Sequence, residues 1–168
     1  VFRGMAGQKG VRYRVELPDA PLPTVMIDAL RLRQILFNLI GNAIKFTEQG
    51  EVSISATLAG DPLPAPVLHL VIADTGVGIT ADKLPRLFTP FYRAHSPEQY
   101  PGSGLGLNIA RILCQMMGGE IGVNSEPGRG TRLEIRLPLT LAAPGLPLVM
   151  ATPVDPPREP GPRLRILV

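Results

Sequence analysis

The sequence predicts a two-layer α/β (α+β) sandwich, in which helices cover one face of a mixed, mainly antiparallel sheet of about five strands. Two long segments repeat apolar residues at helical spacing, and shorter segments alternate apolar and polar residues. The last two alternating segments are separated by a short glycine-containing turn. The chain has 168 residues, of which 45% are hydrophobic and 18% charged, and this is enough for one globular domain with tails.

The amino-terminal part of the chain contains one predicted strand and one long helix. Residues 1–10 are interpreted as the end of a linker from an upstream domain. Residues 11–17 alternate apolar and charged side chains, as a strand with one face in water does. Asp28 is suited to cap the helix that follows. Apolar residues recur at helical spacing as far as Phe46, namely Leu32, Ile35, Leu36, Leu39, Ile40, Ala43 and Ile44.

Two further strands are predicted in the middle of the chain. Residues 51–58 alternate apolar and polar side chains, and a proline-rich loop over 59–66 follows. Residues 67–73 are apolar apart from His69, which is typical of a central strand that is buried on both faces. This strand is predicted to end at Asp74, where a glycine-containing turn begins.

A long loop separates this strand from the second long helix. Thr80 is expected to cap a short helix over 81–88. Residues 89–105 are rich in proline and glycine and predict a long mobile loop, a kind of segment that usually has a function. Apolar residues over 107–117 predict the second helix, which Gly118 ends.

The carboxyl-terminal part is predicted to be a hairpin followed by a linker. Residues 121–126 and 131–139 alternate apolar and polar side chains on either side of a turn, and they complete a domain over 11–140. Residues 141–163 are proline-rich and lack periodicity, which is typical of a linker. Residues 164–168 have the pattern of the start of a strand.

A polar stripe runs along the first long helix, opposite its apolar face. Gln34, Asn38, Asn42 and Lys45 follow one another at spacings of four, four and three. Such a stripe is suited to line a phosphate and metal site. The alternative is an ordinary solvated helix face, which would usually carry more glutamate and lysine and has no reason to carry two asparagines.

Two glycine-containing loops are candidates for binding a ligand. Asp74 follows a buried strand and can accept a hydrogen bond from an exocyclic amine such as that of adenine; the alternative is a simple Asp-led turn. Residues 102–107 open the second long helix, where backbone N–H groups favour an anion; the alternative is a flexible loop. Their spacing is neither that of a dinucleotide fingerprint nor that of a Walker A loop.

Taken in order, these motifs resemble the catalytic domain of sensor histidine kinases. These belong to the superfamily that includes gyrase, MutL and the heat-shock chaperone ATPases. The resemblance covers residues 11–139. The matching segments are the N box at 38–46, the first glycine box at 74–78, the F box at 88–91, the second glycine box at 102–107 and a further glycine box at 128–131. The resemblance implies the Bergerat ATP-binding fold and ATP with Mg²⁺ as cofactors.

The resemblance also implies which residues handle the metal and the phosphates. Asn42 would bind Mg²⁺, Asn38 would lie beside the metal and the phosphates, and Lys45 would contact the phosphates. Arg93 matches a position that contacts the γ-phosphate, where a cation can stabilise charge during transfer. It lies within 89–105, which would form a lid over ATP.

A second group of residues would surround the base and the lid. Asp74 would recognise the adenine amine, Gly76 and Gly78 would let the base pack closely, and Thr131 would support the network around Asp74. The lid-side residues assigned to nucleotide binding are Gly102, Gly104, Leu105 and Gly106.

Position 38 favours transfer to a protein over hydrolysis. Relatives that hydrolyse ATP carry a glutamate there to activate water, whereas the Asn38 amide cannot act as a general base. The acceptor histidine of such kinases is followed by an acidic residue and a proline. Neither His69 nor His95 has these neighbours, so the acceptor is expected on an upstream dimerisation domain.

The expected partners follow from the same resemblance. Residues 164–168 resemble the first strand of a response-regulator receiver domain, which predicts a hybrid kinase. The resemblance to histidine kinases implies that the full-length protein is a homodimer. The mixing of acidic and basic residues excludes a nucleic-acid surface. No apolar stretch is long enough to cross a bilayer, so this part of the protein is expected to be a cytoplasmic domain without membrane contact. An anchor elsewhere in the full-length protein can still attach it to the inner membrane.

Two other functions remain open from the sequence. One is a true ATPase of the same superfamily, which Asn38 disfavours. The other is a non-catalytic nucleotide-sensing or interaction module, against which the polar stripe, the two glycine loops and Arg93 argue.

Overall fold

The computed structural model describes residues 1–18, 24–59, 66–96 and 98–141. In chain order the elements are α1 (Phe2–Gln8), β1 (Arg12–Glu16), β2 (Val25–Met26), α2 (Ala29–Phe46), β3 (Glu51–Ala59), β4 (Val67–Asp74), α3 (Gly106–Met116), β5 (Glu120–Glu126), β6 (Gly130–Pro138) and β7 (Thr140–Leu141). A five-stranded sheet has the order β1-β3-β4-β6-β5. Only β1 and β3 are parallel within it, so the predicted mixed, mainly antiparallel sheet is confirmed.

Helices α2 and α3 pack against each other and against the sheet. Helix α2 begins where the sequence predicts, because Asp28 caps it by accepting a 3.0 Å hydrogen bond at Oδ1 from the Arg31 backbone N–H. The predicted apolar face of α2 enters the core. The fully buried core side chains include Ile35, Leu39 and Ile44 from α2, Cys114 from α3, and Ile72 and Ile135 from the sheet.

Strand β4 lies at the centre of the sheet, between β3 and β6. Leu70, Val71 and Ile72 are all buried, so both faces of the strand are covered at its middle, as its continuous apolar sequence predicts. The register places the last residue, Asp74, beside Val52 of β3 and Thr131 of β6. The sheet therefore delivers one carboxylate to the edge from which the glycine loop emerges.

The first ten residues contain a helix that the linker interpretation does not include. Helix α1 ends in a Schellman motif: the Val11 N–H donates to the Ala6 carbonyl (3.0 Å) and the Gly10 N–H to the Gly7 carbonyl (3.1 Å). Gly10 has the left-handed φ of +70° that this motif requires. Ala6 is fully buried, so α1 belongs to the core of the domain.

The predicted short helix over 81–88 is wrong. The structure has one 3₁₀ turn, Leu84–Arg86, and no side chain caps its start. Pro85 gives the physical reason, because it has no N–H to donate to the carbonyl of residue 81 and so prevents an α-helix from Thr80 onward.

The described residues end close to the predicted carboxyl-terminal boundary of the domain. Thr140 and Leu141 form β7, which pairs antiparallel with β2, so the last described residues still belong to the domain. The rest of the predicted linker over 141–163 and the predicted strand over 164–168 lie outside the described residues. The domain boundaries remain predictions.

Candidate nucleotide-binding site

A cavity of about 250 Å³ opens between α2, the loop after β4, the segment 89–105 and the start of α3. The predicted site residues that line it are Asn42, Lys45, Asp74, Gly78, Arg93, Gly102, Gly104, Gly106 and Thr131. The structure therefore brings together residues from every motif except the F box. Asn38, Gly76 and Leu105 do not line the cavity but lie in the same elements.

Asp74 points one carboxylate oxygen at the protein backbone. Its Oδ1 accepts hydrogen bonds from the N–H groups of Gly76 (2.9 Å) and Thr131 (3.2 Å). Burial raises the pKa of Asp74, and these two donors oppose that shift without cancelling it. Among the described residues no donor meets Oδ2, so this oxygen can accept a bond from an amine in the cavity.

Ser125 supports this corner of the site, although the sequence motifs did not predict it as a site residue. Its Oγ donates to the Gly130 carbonyl (2.8 Å), lies 2.9 Å from the Thr131 Oγ1 and accepts from the Ile79 N–H (2.9 Å). The alternation of β5 puts Ser125 on the same face as Ile121 and Val123. A hydroxyl on an otherwise apolar face is the sequence signal that could have identified it.

The glycines after Asp74 are fitted to the protein itself. A Cβ on Gly76 would overlap the Phe46 carbonyl, and a Cβ on Gly78 would overlap the Glu126 carbonyl. Gly78 also has a φ of +66°, which favours glycine. The closest approach at each of these two positions is to backbone, and the expected contact with a base stays a prediction.

Asn38 and Asn42 face the first turn of α3. A Cβ on Gly106 would lie 3.5 Å from the Asn38 Oδ1 and 3.7 Å from the Asn42 Nδ2, so the helix start closely approaches both amides. The Asn38 Nδ2 is buried and meets no acceptor among the described residues. A buried donor left unpaired costs about 1–3 kcal/mol.

The residues present fit a magnesium ion that is shared with phosphates. No group of three His, Cys, Asp or Glu side chains that could hold a metal exists among the described residues. Magnesium usually takes only one or two ligands from the protein and the rest from phosphates and water. The Asn42 amide can supply such a ligand beside the cavity.

Lys45 and Arg93 place two cations at the cavity wall. Neither Lys45 nor Arg93 forms an ion pair within the described part of the chain. Burial lowers the pKa of Lys45, and the charge of Arg93 lowers it further. The Arg93 guanidinium donates to the Tyr100 carbonyl, which fixes it in the segment 89–105. The site is therefore suited to an anion.

Aromatic side chains close one end of the cavity. The Phe46 ring lies 5.0 Å from the centroids of both His95 and Tyr100. Tyr100 is buried, and its hydroxyl donates to the Glu48 carboxylate at 3.0 Å. Burial and the charges of Lys83 and Lys45 lower the pKa of His95. An aromatic wall of this kind can pack against a planar base. The sequence motifs did not predict Phe46 or Tyr100 as site residues.

Residues 27–141 match the family described as histidine kinase-, DNA gyrase B- and HSP90-like ATPase. The chain belongs to this family. It is 41% identical over 160 residues to the autoinducer 2 sensor kinase/phosphatase LuxQ of Vibrio cholerae, covering 93% of this chain and 18% of that protein. It is 39% identical over 168 residues to the aerobic respiration control sensor protein ArcB of Escherichia coli, covering 97% of this chain and 20% of that protein.

A solved structure has the same fold. Full-length ShkA in complex with AMPPNP matches 83% of this chain and 28% of that chain, with 38% identity and a TM-score of 0.70. The resemblance read from the motifs is therefore confirmed, and the chain is an ATP-binding domain of the sensor histidine kinase type. It spans about a fifth of the length of the two sensor proteins. None of the described helices has both the length and the apolar character to cross a membrane.

Proposed function

We propose that this domain binds Mg-ATP and transfers the γ-phosphate to a histidine of an upstream dimerisation domain, within a hybrid two-component sensor kinase. The observation that carries the proposal is that one cavity contains an open carboxylate oxygen of Asp74 and two cations that form no ion pair among the described residues. Asp74 offers an acceptor at one end, and Lys45 and Arg93 offer positive charge at another part of its wall. An adenine nucleotide carries an amine that can donate to Asp74 and a chain of phosphates whose negative charge suits Lys45 and Arg93.

Each side chain has a definite task in this proposal. Asp74 accepts the adenine amine, and Phe46 packs against the base. Lys45 and Arg93 hold the phosphates, and Asn38 lies beside them, next to Gly106 at the start of α3. Asn42 gives one oxygen ligand to Mg²⁺, which when bound neutralises phosphate charge and orients the terminal phosphate.

The same residues favour transfer over hydrolysis. An amide at position 38 cannot take a proton from water, so the site does not create a nucleophile of its own. The histidine nitrogen of the acceptor domain is already nucleophilic and needs only alignment with the γ-phosphorus. Catalysis then consists of positioning and charge stabilisation, which Lys45 and Arg93 supply.

The partners of the whole protein follow from this role. The relatives LuxQ and ArcB are named as sensor proteins. We infer that the parent is a cytoplasmic-side kinase held at the inner membrane, that it is a homodimer through upstream helices, and that a receiver domain takes the phosphoryl group next. The domain needs neither nucleic acid nor membrane contact for this task.

Calorimetric titration with a non-hydrolysable ATP analogue, with and without Mg²⁺, tests the binding site. The wild-type domain should bind the analogue, and Mg²⁺ should strengthen binding. Asn42→Ala should remove the effect of Mg²⁺, and Asp74→Asn should weaken binding by roughly 10- to 150-fold, the equivalent of about 1.5–3 kcal/mol for a charge-assisted hydrogen bond. A folded wild-type domain that does not bind would favour an interaction module.

Transfer is tested separately with labelled ATP and an added acceptor domain. Acid-labile phosphohistidine on the acceptor supports the proposed reaction. Rapid release of free phosphate without a labelled acceptor would indicate an ATPase, and tight binding with neither product would indicate a nucleotide sensor.

A further inference from the structure

Lys9 makes three hydrogen bonds to the end of the helix that carries the polar stripe. Its ammonium donates to the carbonyls of Ile44, Lys45 and Thr47, each at 2.9 Å. A lysine ammonium has three donors and no acceptor, so all its donors are used. The carbonyls at the end of a helix lack partners within the helix, and a cation there also suits the helix dipole.

The other carbonyls of this last turn are held from different directions. The Phe46 carbonyl accepts from the Val77 N–H (3.3 Å), in the loop that follows Asp74. The Ala43 carbonyl accepts from the Thr47 N–H (3.2 Å) and the Thr47 hydroxyl (2.7 Å). The turn that presents Lys45 and Phe46 to the cavity is therefore clamped between the amino-terminal segment and the glycine loop.

The fold fixes Lys9 where it can make these bonds. Lys9 is the C-cap residue of α1, between the helix and the left-handed Gly10 of the Schellman motif. Helix α1 is anchored in the core by the fully buried Ala6. The long separation in sequence between Lys9 and its acceptors is bridged by two elements that are each packed in the domain.

We propose that Lys9 is a positioning residue for nucleotide binding, which acts by fixing the last turn of α2 and with it the direction of Lys45. Lys9 itself does not line the cavity. The inference rests on the proposed function, because it assumes that Lys45 holds phosphates. It also implies that the amino-terminal segment, through the hydrogen bonds of Lys9, contacts the part of α2 that is proposed to hold the phosphates.

Nucleotide affinity of Lys9→Met tests this inference. Methionine keeps the length and apolar stem of the side chain and removes all three donors. We expect the ATP analogue to bind roughly tenfold more weakly at a temperature well below unfolding. Arg3→Met is the matched control, since it removes a cation from the exposed side of the same helix, and it should bind as the wild type does.

A double variant separates positioning from simple stabilisation. If Lys9 acts through Lys45, Lys9→Met should cost less than about twofold in affinity when it is introduced into Lys45→Met. A folded Lys9→Met protein with a lower melting temperature and unchanged affinity would show a purely structural role and overturn the inference. An equal loss in both backgrounds would overturn it too.

A second variant covers the case in which Lys9→Met does not fold. Lys9→Arg keeps the positive charge, but its planar guanidinium cannot direct three donors from one atom, so a loss of about threefold is expected. Wild-type affinity in that variant would overturn the inference. If the wild-type domain itself binds no nucleotide, the proposed function fails, and the inference fails with it.

Discussion

Asp74, the carboxylate proposed to bind adenine, works against the stability of the fold. Its carboxylate is held by two backbone N–H groups, yet burial has the larger effect and raises its pKa. The folded protein therefore disfavours the charged form more than the unfolded chain does. In the proposed function the other carboxylate oxygen, Oδ2, offsets this cost by accepting a strong hydrogen bond from the adenine amine.

The pH dependence of stability should show this cost. A carboxyl group whose pKa is raised by folding contributes stability that is fully present below its ordinary value of 3.8 and is lost as the pH rises through the folded value. Urea unfolding of the wild type from pH 3.5 upward should show this loss, whereas Asp74→Asn should lack it and be at least as stable at pH 7. Asp82→Asn, at an exposed carboxylate, is the control. A wild-type profile identical to that of Asp74→Asn would contradict the prediction.

Site residues differ in how well the sequence predicts them. Asp74, Asn42 and Lys45 lie in short motifs whose spacing along a strand end or a helix indicates a common direction, and the structure brings them to one cavity. Ser125 and Lys9 act through hydrogen bonds to backbone groups far away in sequence. Such bonds depend on how elements pack, and no local pattern contains that information.

At the scale of elements, the loop after β4 is held between the end of α2 and the turn of the β5–β6 hairpin. The Val77 N–H donates to the Phe46 carbonyl (3.3 Å), and the Val77 carbonyl accepts from the Gly128 N–H (2.8 Å). Both neighbours approach so closely that the loop has no room for extra side-chain atoms at Gly76 and Gly78. The loop conformation is therefore set by packing of three elements.

A pair of glycine substitutions can measure this packing. Gly78 and Gly128 have similar φ values of +66° and +74°, but only Gly78 has backbone within reach of an added Cβ. Gly128→Ala should lose about 1–2 kcal/mol of unfolding free energy from backbone strain alone. Gly78→Ala should lose about 1–3 kcal/mol more, because the Glu126 carbonyl must move. Denaturant unfolding gives both free energies. Equal losses in the two variants would show that the loop can move away from the Glu126 carbonyl at no cost.

The segment 89–105 is tied to the rest of the domain at a few points. Just before the segment, the Asn108 side chain donates to the Phe88 carbonyl (2.9 Å). Within the segment, Lys83 donates to the Ala94 carbonyl (2.8 Å). Near its end, Tyr100 packs on Phe46 and donates to Glu48. The last of these contacts joins the segment to the end of α2, beside the cavity.

Removal of the Tyr100 hydroxyl should speed nucleotide release. Tyr100→Phe keeps the ring against Phe46 and loses the bond to Glu48, so the segment should open more readily and dissociation should be about three- to tenfold faster. Stopped-flow displacement of a fluorescent ATP analogue measures this rate. Tyr92→Phe is the matched control in the same segment, where the ring lies under the Arg86 guanidinium and is retained. Equal release rates in the two variants would show that the hydrogen bond from Tyr100 to Glu48 does not slow nucleotide release.

Elements with a clear apolar pattern were predictable, and elements without one were not. Helix α2 and strands β3 to β6 carry their periods over seven residues or more, so their existence follows from local pattern. Helix α1 has seven residues, two of them glycine, and it is stabilised by burial of Ala6 against other elements. Strands β2 and β7 have two residues each and exist only because they pair with each other.

At the scale of the whole molecule, the order of the strands lies beyond any local pattern. The first strand of the chain pairs in parallel with β3, and β4 pairs with β6. These pairings join residues that are distant in sequence, so they are decided by how the helices cover the sheet. This arrangement puts the end of β4 beside α2, the hairpin turn and α3, and one ligand can thus contact elements from most of the domain.

A ligand held by so many elements should stabilise the entire domain. At a concentration of one hundred times its dissociation constant, an ATP analogue adds about 2.7 kcal/mol, which should raise the melting temperature by roughly 5–11 °C. The matched control is a GTP analogue at the same concentration, because guanine presents a carbonyl where adenine has its amine and Asp74 cannot accept a bond from it. Thermal unfolding should show a much smaller shift with the GTP analogue, and Asp74→Asn should reduce the difference between the two. Equal shifts in the wild type would mean that phosphate contacts alone hold the ligand and that Asp74 does not read the base.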